Sequence, residues 1–161
     1  MNVADRDPKI FMYGGFYEPL PSTTVEHGAV YVLSLPSFNW QKQDGMPDYG
    51  RYQHSCNVVG NRQMVVVGGQ VVLRDELSES DTLSQSPDPW PKGIGIFDLS
   101  RMAWQSSYDA SAEPYVTPDM VKAYTSKHRF PAQWSSPTVE KWFLKSGKLH
   151  CPSLGVVNPM I

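Results

Sequence analysis

The chain has 161 residues, a formal net charge of −2 and 40% hydrophobic residues. This length suits one domain with a real core, and a nearly neutral charge without a basic run argues against nucleic acid as a partner. No apolar run reaches the roughly 18 residues that a membrane-spanning helix needs. Fourteen prolines and twelve glycines favour many short strands and turns over a helical bundle. The first seven residues are polar, which predicts no export signal for the chain as it stands.

The first predicted element is a short apolar strand that ends at a pair of glycines. Residues 10–13 read Ile-Phe-Met-Tyr and lead into Gly14 and Gly15. A second strand is predicted at residues 30–35, and Trp40 follows it. Short apolar runs that end at glycine or proline are typical of strands.

The same arrangement recurs later in the chain. An apolar run at residues 64–67 leads into a second glycine pair, 54 positions after the first, and a strand at residues 94–99 leads into a second tryptophan. The positions that carry this second unit are Gly68, Gly69, Phe97, Asp98 and Trp104. A repeat of roughly 50 residues with such punctuation predicts β-propeller blades. The large rings of the two tryptophans are expected to fill equivalent spaces between blades.

The second unit opens with Arg51 and His54, within the stretch Arg-Tyr-Gln-His-Ser. An arginine–histidine first strand, a diglycine, an aromatic residue and a tryptophan, in that order, resemble the kelch repeat. Residues 88–99 are similar to fungal kelch-repeat proteins of the galactose-oxidase central-domain type. The resemblance covers about residues 9–124. It implies an all-β fold, a partial kelch-type β-propeller of about two four-stranded antiparallel blades.

The repeat register predicts where the blades begin and end. Blade one is expected at about residues 9–45 and blade two at about 51–108, within a partial propeller at 1–124. The counterpart of Arg51 would precede residue 1, so blade one is expected to lack its opening strand. Propellers close with four to eight blades. Two blades therefore predict a fragment, a truncated product, or a partial array whose open edges associate with other copies.

An acidic, serine-rich connection at residues 71–90 distinguishes the second unit. It lies in the connection from Gly69 to Ile94, which is ten positions longer than the connection from Gly15 to Val30 in the first unit. The candidate recognition residues are Asp75, Glu76, Glu79 and Trp90, with charges that would orient a partner and a ring that would supply contact area. The alternative is a solvated loop that binds nothing.

The chain from residue 125 to 161 is predicted to be a tail with a short helix. Before it, residues 117–119 read Thr-Pro-Asp, which is typical of a helix start. Apolar residues at helical spacing after Pro137 predict a helix at 137–146. This helix either covers a sheet edge left open by missing blades or belongs to a fraying tail. Residues 149–161 give no assignment.

Residues that could carry chemistry are few and far apart in the sequence. They are His27, His54, His128, His150, Cys56 and Cys151. The resemblance to galactose-oxidase-type proteins raises copper radical chemistry, which needs two histidines and two tyrosines, one of them cross-linked to a cysteine. No residue of this sequence can be carried over onto that set, so no metal or cofactor is predicted. His54 is expected to hydrogen-bond backbone or a neighbouring strand rather than to bind a metal, and the two cysteines are either bridged or buried thiols.

The sequence thus predicts a scaffold for protein or cell-surface carbohydrate recognition, without catalysis of its own. The alternative is the remnant of a copper radical oxidase that acts on alcohols or sugars. Related fungal chains often carry an export signal and a membrane span outside the propeller. The resemblance therefore implies a cell-surface setting for a full-length parent.

Overall fold

The computed structural model describes residues 7–15, 28–43, 49–60, 62–73, 88–144 and 155–157. The strands are β1 (Lys9–Tyr13), β2 (Val30–Ser34), β3 (Asn39–Gln43), β4 (Tyr49–Tyr52), β5 (Ser55–Val59), β6 (Gln63–Val67), β7 (Gln70–Leu73), β8 (Ile94–Asp98), β9 (Ala103–Gln105) and β10 (Gly155–Val157). The helices are α1 (Asp119–Thr125) and α2 (Pro137–Leu144). The predicted all-β fold with a short C-terminal helical segment is confirmed.

Two four-stranded sheets form the body of the molecule. Blade 1 has the strand order β10-β1-β2-β3, and blade 2 has the order β5-β6-β8-β9. Within each blade, strands that follow one another along the chain pair antiparallel, whereas β10 runs parallel to β1. Strands β4 and β7 form a separate two-stranded sheet. As predicted, β1 and β6 each end one residue before a glycine pair, at Tyr13 and Val67.

The two blades repeat one another position by position. Leu33 pairs with Trp40 in blade 1, as Phe97 pairs with Trp104 in blade 2. The amide of Leu35 donates to the Pro8 carbonyl at 3.0 Å, and its counterpart Leu99 donates to the Arg62 carbonyl at the same distance. Strands β1 and β6 therefore correspond at an offset of 54 residues, and β2–β3 and β8–β9 correspond at an offset of 64.

The core lies between the two blades. Alternate side chains of a strand point to opposite faces, and the buried residues of β1 and β2 alternate in this way. The core includes Phe11, Tyr13, Val30 and Val32 from blade 1, with Cys56, Met64, Val66 and Phe97 from blade 2 and with Trp90, Leu99 and Met102. Val121 of α1 joins them and is fully buried. Burial of such side chains contributes on the order of 1.5–3 kcal/mol each.

The structure corrects the position of the first strand of blade 2. Arg51 lies in β4, which pairs with β7, and His54 precedes β5, so the blade itself opens at Ser55. The reason is that the chain at 51–54 runs past the glycine corners of both blades before it enters the sheet. In blade 1 the counterpart of β5 falls on residues 1–5, outside the described residues. The C-terminal β10 pairs with β1 on that side and satisfies its backbone groups.

The two helices follow blade 2 but lie against blade 1. Helix α1 begins at Asp119, and Pro118 precedes it with extended backbone (ψ 147°). Helix α2 begins at Pro137 as predicted, while residues 145–146 of the expected helix lie outside the described ranges. Phe143 of α2 contacts Phe38 in the β2–β3 turn. In the described part of the chain, no helix is long and apolar enough to cross a membrane.

Candidate recognition surface and interblade junction

Arg51 lies between the blades, with only 2% of its side chain exposed. Its Nη1 donates to the Gly68 carbonyl at 2.8 Å, and its Nη2 donates to Oδ1 of Asp88 at 2.6 Å. The guanidinium also lies 4.3 Å from the centre of the Trp90 ring. A buried charge is tolerated when it is paired and hydrogen-bonded in this way. Arg51 therefore joins β4, the end of β6 and the segment before β8, which is a structural role.

The partner of Arg51 is held in its charged form. Burial by itself would raise the pKa of Asp88, but the hydrogen bonds from Arg51 and from the Trp90 amide outweigh it. The pKa of Asp88 therefore lies below its ordinary value. The ion pair persists at neutral pH and orients the Trp90 ring through its backbone.

His54 makes the backbone contact that the sequence predicts. Its Nε2 lies 3.2 Å from the carbonyl oxygen of Tyr13, and the two rings are 5.3 Å apart. Burial lowers the pKa of His54, so the imidazole is neutral at pH 7. A side chain at Gly14 would collide with His54 and with the Arg51 carbonyl. The lack of a side chain at Gly14 thus allows the chain segment that leads into blade 2 to pack against the end of β1.

Trp90 was predicted to be a recognition residue, and this prediction is wrong. The indole is 6% exposed and lies 4.8 Å from the Trp104 ring and 6.0 Å from Tyr13. A Cβ at Gly95 would stand 2.6 Å from the Trp90 ring. A glycine inside a strand-like run indicates such a close approach. Gly95 was therefore the sequence feature from which the burial of Trp90 could have been predicted. Asp75, Glu76 and Glu79 lie outside the described residues.

The two repeat tryptophans occupy equivalent register positions but differ in burial. Trp104 is half-buried, with its ring 4.9 Å from Tyr13 and 5.1 Å from Phe97. Trp40 is 50% exposed. The expectation that both rings fill a space between blades is therefore wrong for Trp40, because blade 1 turns this face away from blade 2.

Asp98 of the predicted motif organises a turn. Arg62 Nε donates to both of its carboxylate oxygens, at 3.1 and 2.9 Å. The amides of Ser100 and Arg101 each donate to Oδ1 at 2.9 Å. Burial would raise the pKa of Asp98, but these donors together hold it below the ordinary value. The carboxylate thereby fixes the β8–β9 turn against the β5–β6 turn.

Sequence reasoning missed an aromatic cluster, the aromatic platform, formed by Phe38, Phe130, Trp134 and Phe143. Trp134 stacks on Phe143 with ring centres 5.5 Å apart and planes at 19°. Phe38 stands edge-on to Phe143 at 5.2 Å, and Phe130 lies 6.2 Å from Trp134. Both outer rings remain open to solvent, with Phe38 46% exposed. No sequence signal connects these residues, because they come from a turn, a loop and a helix.

The platform is attached to blade 1 by both backbone geometry and charge. Phe38 occupies the β2–β3 turn with φ 53°, the same conformation that Met102 has in the β8–β9 turn with φ 54°. Met102 is buried, whereas Phe38 faces the helical segment and solvent. Arg129 pairs with Asp7 at 3.2 Å and lies 5.3 Å from the Phe130 ring. These contacts hold the outer rings in place.

The histidine and cysteine side chains of the described residues do not gather with carboxylates into a group that could hold a metal ion. Within residues 7–15, 28–43, 49–60, 62–73, 88–144 and 155–157, no three His, Cys, Asp or Glu side chains lie together so as to hold a metal ion. His27, His150 and Cys151 fall outside these ranges. Cys56 is buried, and burial raises its pKa to about 12, which keeps the sulfur protonated.

The chain is similar to a kelch repeat-containing protein from the fungus Arthroderma benhamiae. The two are 31% identical over 105 residues, a match that covers 63% of this chain and 14% of that protein. No protein-family model matches the chain, and no solved structure matches it. The resemblance to fungal kelch-repeat proteins is confirmed, and the two sheets, which are antiparallel apart from the β1–β10 pair, fit part of a β-propeller.

Proposed function

We propose that this chain is a kelch-type recognition scaffold that binds a protein partner through the aromatic platform and has no catalysis of its own. One observation carries the proposal. The motif side chains Arg51, His54 and Asp98 are engaged in internal contacts, while the platform presents rings to solvent. Aromatic side chains are enriched where proteins bind one another, and clustered exposed apolar surface marks such sites.

The chemistry of the platform favours a protein over a carbohydrate. Its members are hydrocarbon rings apart from the indole of Trp134, and the neighbouring helix α2 adds the exposed side chains of Trp142 and Leu144. A sugar brings many hydroxyl groups, and burying them without hydrogen-bond partners is costly. Apolar side chains of a protein carry no such cost. They would fit between rings that meet edge-on, as Phe38 and Phe143 do.

A peptide library displayed on phage tests the proposal on the full chain. We expect enriched peptides to be rich in apolar residues and to bind at least tenfold more weakly to Phe38→Ser and Phe130→Ser, since hot-spot truncations cost about 2 kcal/mol or more. Tyr108→Ser is the matched control, because Tyr108 is 41% exposed and is not part of the platform.

Two outcomes contradict a protein-binding platform. One is a set of peptides whose affinity is the same for the platform variants and the control. The other is binding of soluble oligosaccharides, from a glycan array, that is lost in Phe38→Ser, which would assign the platform to carbohydrate.

A separate assay addresses the lack of catalysis. The purified chain is given Cu²⁺, O₂ and a primary alcohol, and peroxide is measured as the alcohol is oxidised to aldehyde. We expect no more peroxide than from Cu²⁺ without protein. Protein-dependent peroxide would support the oxidase alternative instead.

A further inference from the structure

Each blade presents an apolar sheet face that points away from the core. On blade 2, Val67 pairs with Ile94 and Val65 pairs with Ile96, and the side chains of Val67 and Ile94 are exposed. We call these four residues the outward face of blade 2. On blade 1, Ile10 pairs with Leu33, which pairs with Trp40. These three residues are the outward face of blade 1.

The molecule already shows what such faces pack against. By the repeat register, the outward face of blade 2 corresponds to Phe11, Tyr13, Val30 and Val32 of blade 1, all of which are buried under blade 2. The outward face of blade 1 corresponds to Met64, Phe97 and Trp104 of blade 2, which supply the other half of that contact. The two surfaces that meet in the internal interface are therefore equivalent, in the repeat register, to the two faces that are open.

The described C-terminal segment leaves both outward faces open. After blade 2, the chain returns to the inner side of blade 1, where Gln41 donates to the Met120 carbonyl at 2.9 Å and Tyr115 stands edge-on to Phe11. Both faces are mainly apolar, and the net charge of −2 is too small to keep copies apart. Each chain thus carries both an outward face of blade 1 and an outward face of blade 2, and a head-to-tail contact between copies requires two different surfaces of this sort.

We propose that the outward face of blade 2 in one copy packs on the outward face of blade 1 in a second copy of this chain. The internal interface supplies the geometry. Trp40 of the second copy would meet Val67 of the first, as Trp104 meets Tyr13 within one chain at 4.9 Å. Because propellers close with about four to eight blades, rings of about two to four copies would leave no such face open.

Light scattering and sedimentation of the full-length chain test this contact with complementary variants. Trp40→Glu disables one face and Val67→Glu the other, and both sites are exposed enough to tolerate the change. We expect the wild-type protein to associate as its concentration rises and each variant to be monomeric. An equimolar mixture of the variants should form a 1:1 dimer, because Trp40→Glu keeps an intact blade 2 face and Val67→Glu keeps an intact blade 1 face. The dimer should grow no further, because both of its remaining faces carry a substitution. Val116→Glu, at an exposed site away from both faces, should assemble like the wild type.

Several results would overturn the proposal. The proposal is wrong if the wild-type protein remains monomeric at about a hundred times the concentration used for the variants. It is also wrong if the mixture of the two variants stays monomeric. Association that neither variant disturbs would show that other surfaces are responsible. Circular dichroism and thermal melts confirm that each variant is folded. Phe38→Ser should not change assembly, which separates this proposal from that of the aromatic platform.

Discussion

Blade 1 and blade 2 follow one register, yet opposite faces of the two are covered. Tyr13 is buried in blade 1, whereas its counterpart Val67 is 45% exposed in blade 2. Conversely, Trp104 packs on Tyr13, whereas its counterpart Trp40 faces solvent. In a repeat architecture each unit contacts only its neighbours. The comparison shows that the neighbouring blade decides whether a repeat residue is core or surface.

The first glycine of each pair shows the same difference at the backbone. Gly14 and Gly68 are equivalent in the repeat and have nearly the same φ, 73° and 70°. A side chain at Gly14 would collide with His54 and the Arg51 carbonyl, while a side chain at Gly68 would meet nothing within 4 Å. Conformation requires glycine at both positions, but at this first position of the pair close packing requires it only in blade 1. At the second position, a side chain at Gly69 of blade 2 would also collide, with the Tyr52 carbonyl and with His54.

The largest expected effect separates the two tryptophans. Trp104→Ala should lower the free energy of unfolding by about 3–5 kcal/mol, because it empties a site between Tyr13, Trp90 and Phe97. Trp40→Ala should cost less than about 1 kcal/mol in the monomer, as surface substitutions do. Urea denaturation of both variants at a concentration where the chain is monomeric provides the measurement. Equal losses would show that the two faces are covered alike.

A smaller effect is expected at the glycine corners. Gly68→Ala should cost about 1–2 kcal/mol for its left-handed conformation alone. Gly14→Ala should cost that amount and about 1–3 kcal/mol more, because of overpacking against blade 2. Thermal unfolding monitored by tryptophan fluorescence compares them. If Gly68→Ala proves as costly as Gly14→Ala, blade 2 is followed by a packed neighbour.

The smallest predicted effect concerns the part of the acid sensitivity that Asp98 contributes in blade 2. Asp98 corresponds to Ser34, and Arg62 corresponds to Pro8, so blade 1 has no equivalent ion pair at this position. Because the pKa of Asp98 is lowered on folding, its contribution is complete above the unfolded pKa of about 3.9. That contribution is lost as the pH falls through the lower folded-state pKa.

Asp98→Asn should therefore lower stability by about 1.5 kcal/mol at pH 7 and flatten the loss of stability below pH 4. Urea midpoints measured from pH 7 to pH 2.5 check both expectations. The exposed Asp119, changed to Asn, is the control for the removal of one carboxylate from the surface. A wild-type profile retained in Asp98→Asn would assign the acid sensitivity to another group.

Local features of the candidate sites were open to prediction, while their surroundings were not. The backbone bond of His54 was expected from its place in the repeat, and the structure confirms it. The burial of Trp90 was not foreseen, since it depends on a space that Gly95 opens and on the guanidinium of Arg51. The aromatic platform was missed because Phe38 and Phe143 are far apart in the chain.

The sequence by itself determined the central strands β1, β2, β6 and β8, the glycine corners and the shared register of the two blades. These features depend on alternation, spacing and backbone conformation, which act over a few residues. Tertiary structure alone decided which face of each blade is buried, how the C-terminal segment returns to blade 1, and which aromatic rings meet. The physical reason is that burial is a property of two surfaces in contact, so equivalent residues such as Trp40 and Trp104 differ when only one has a neighbouring blade.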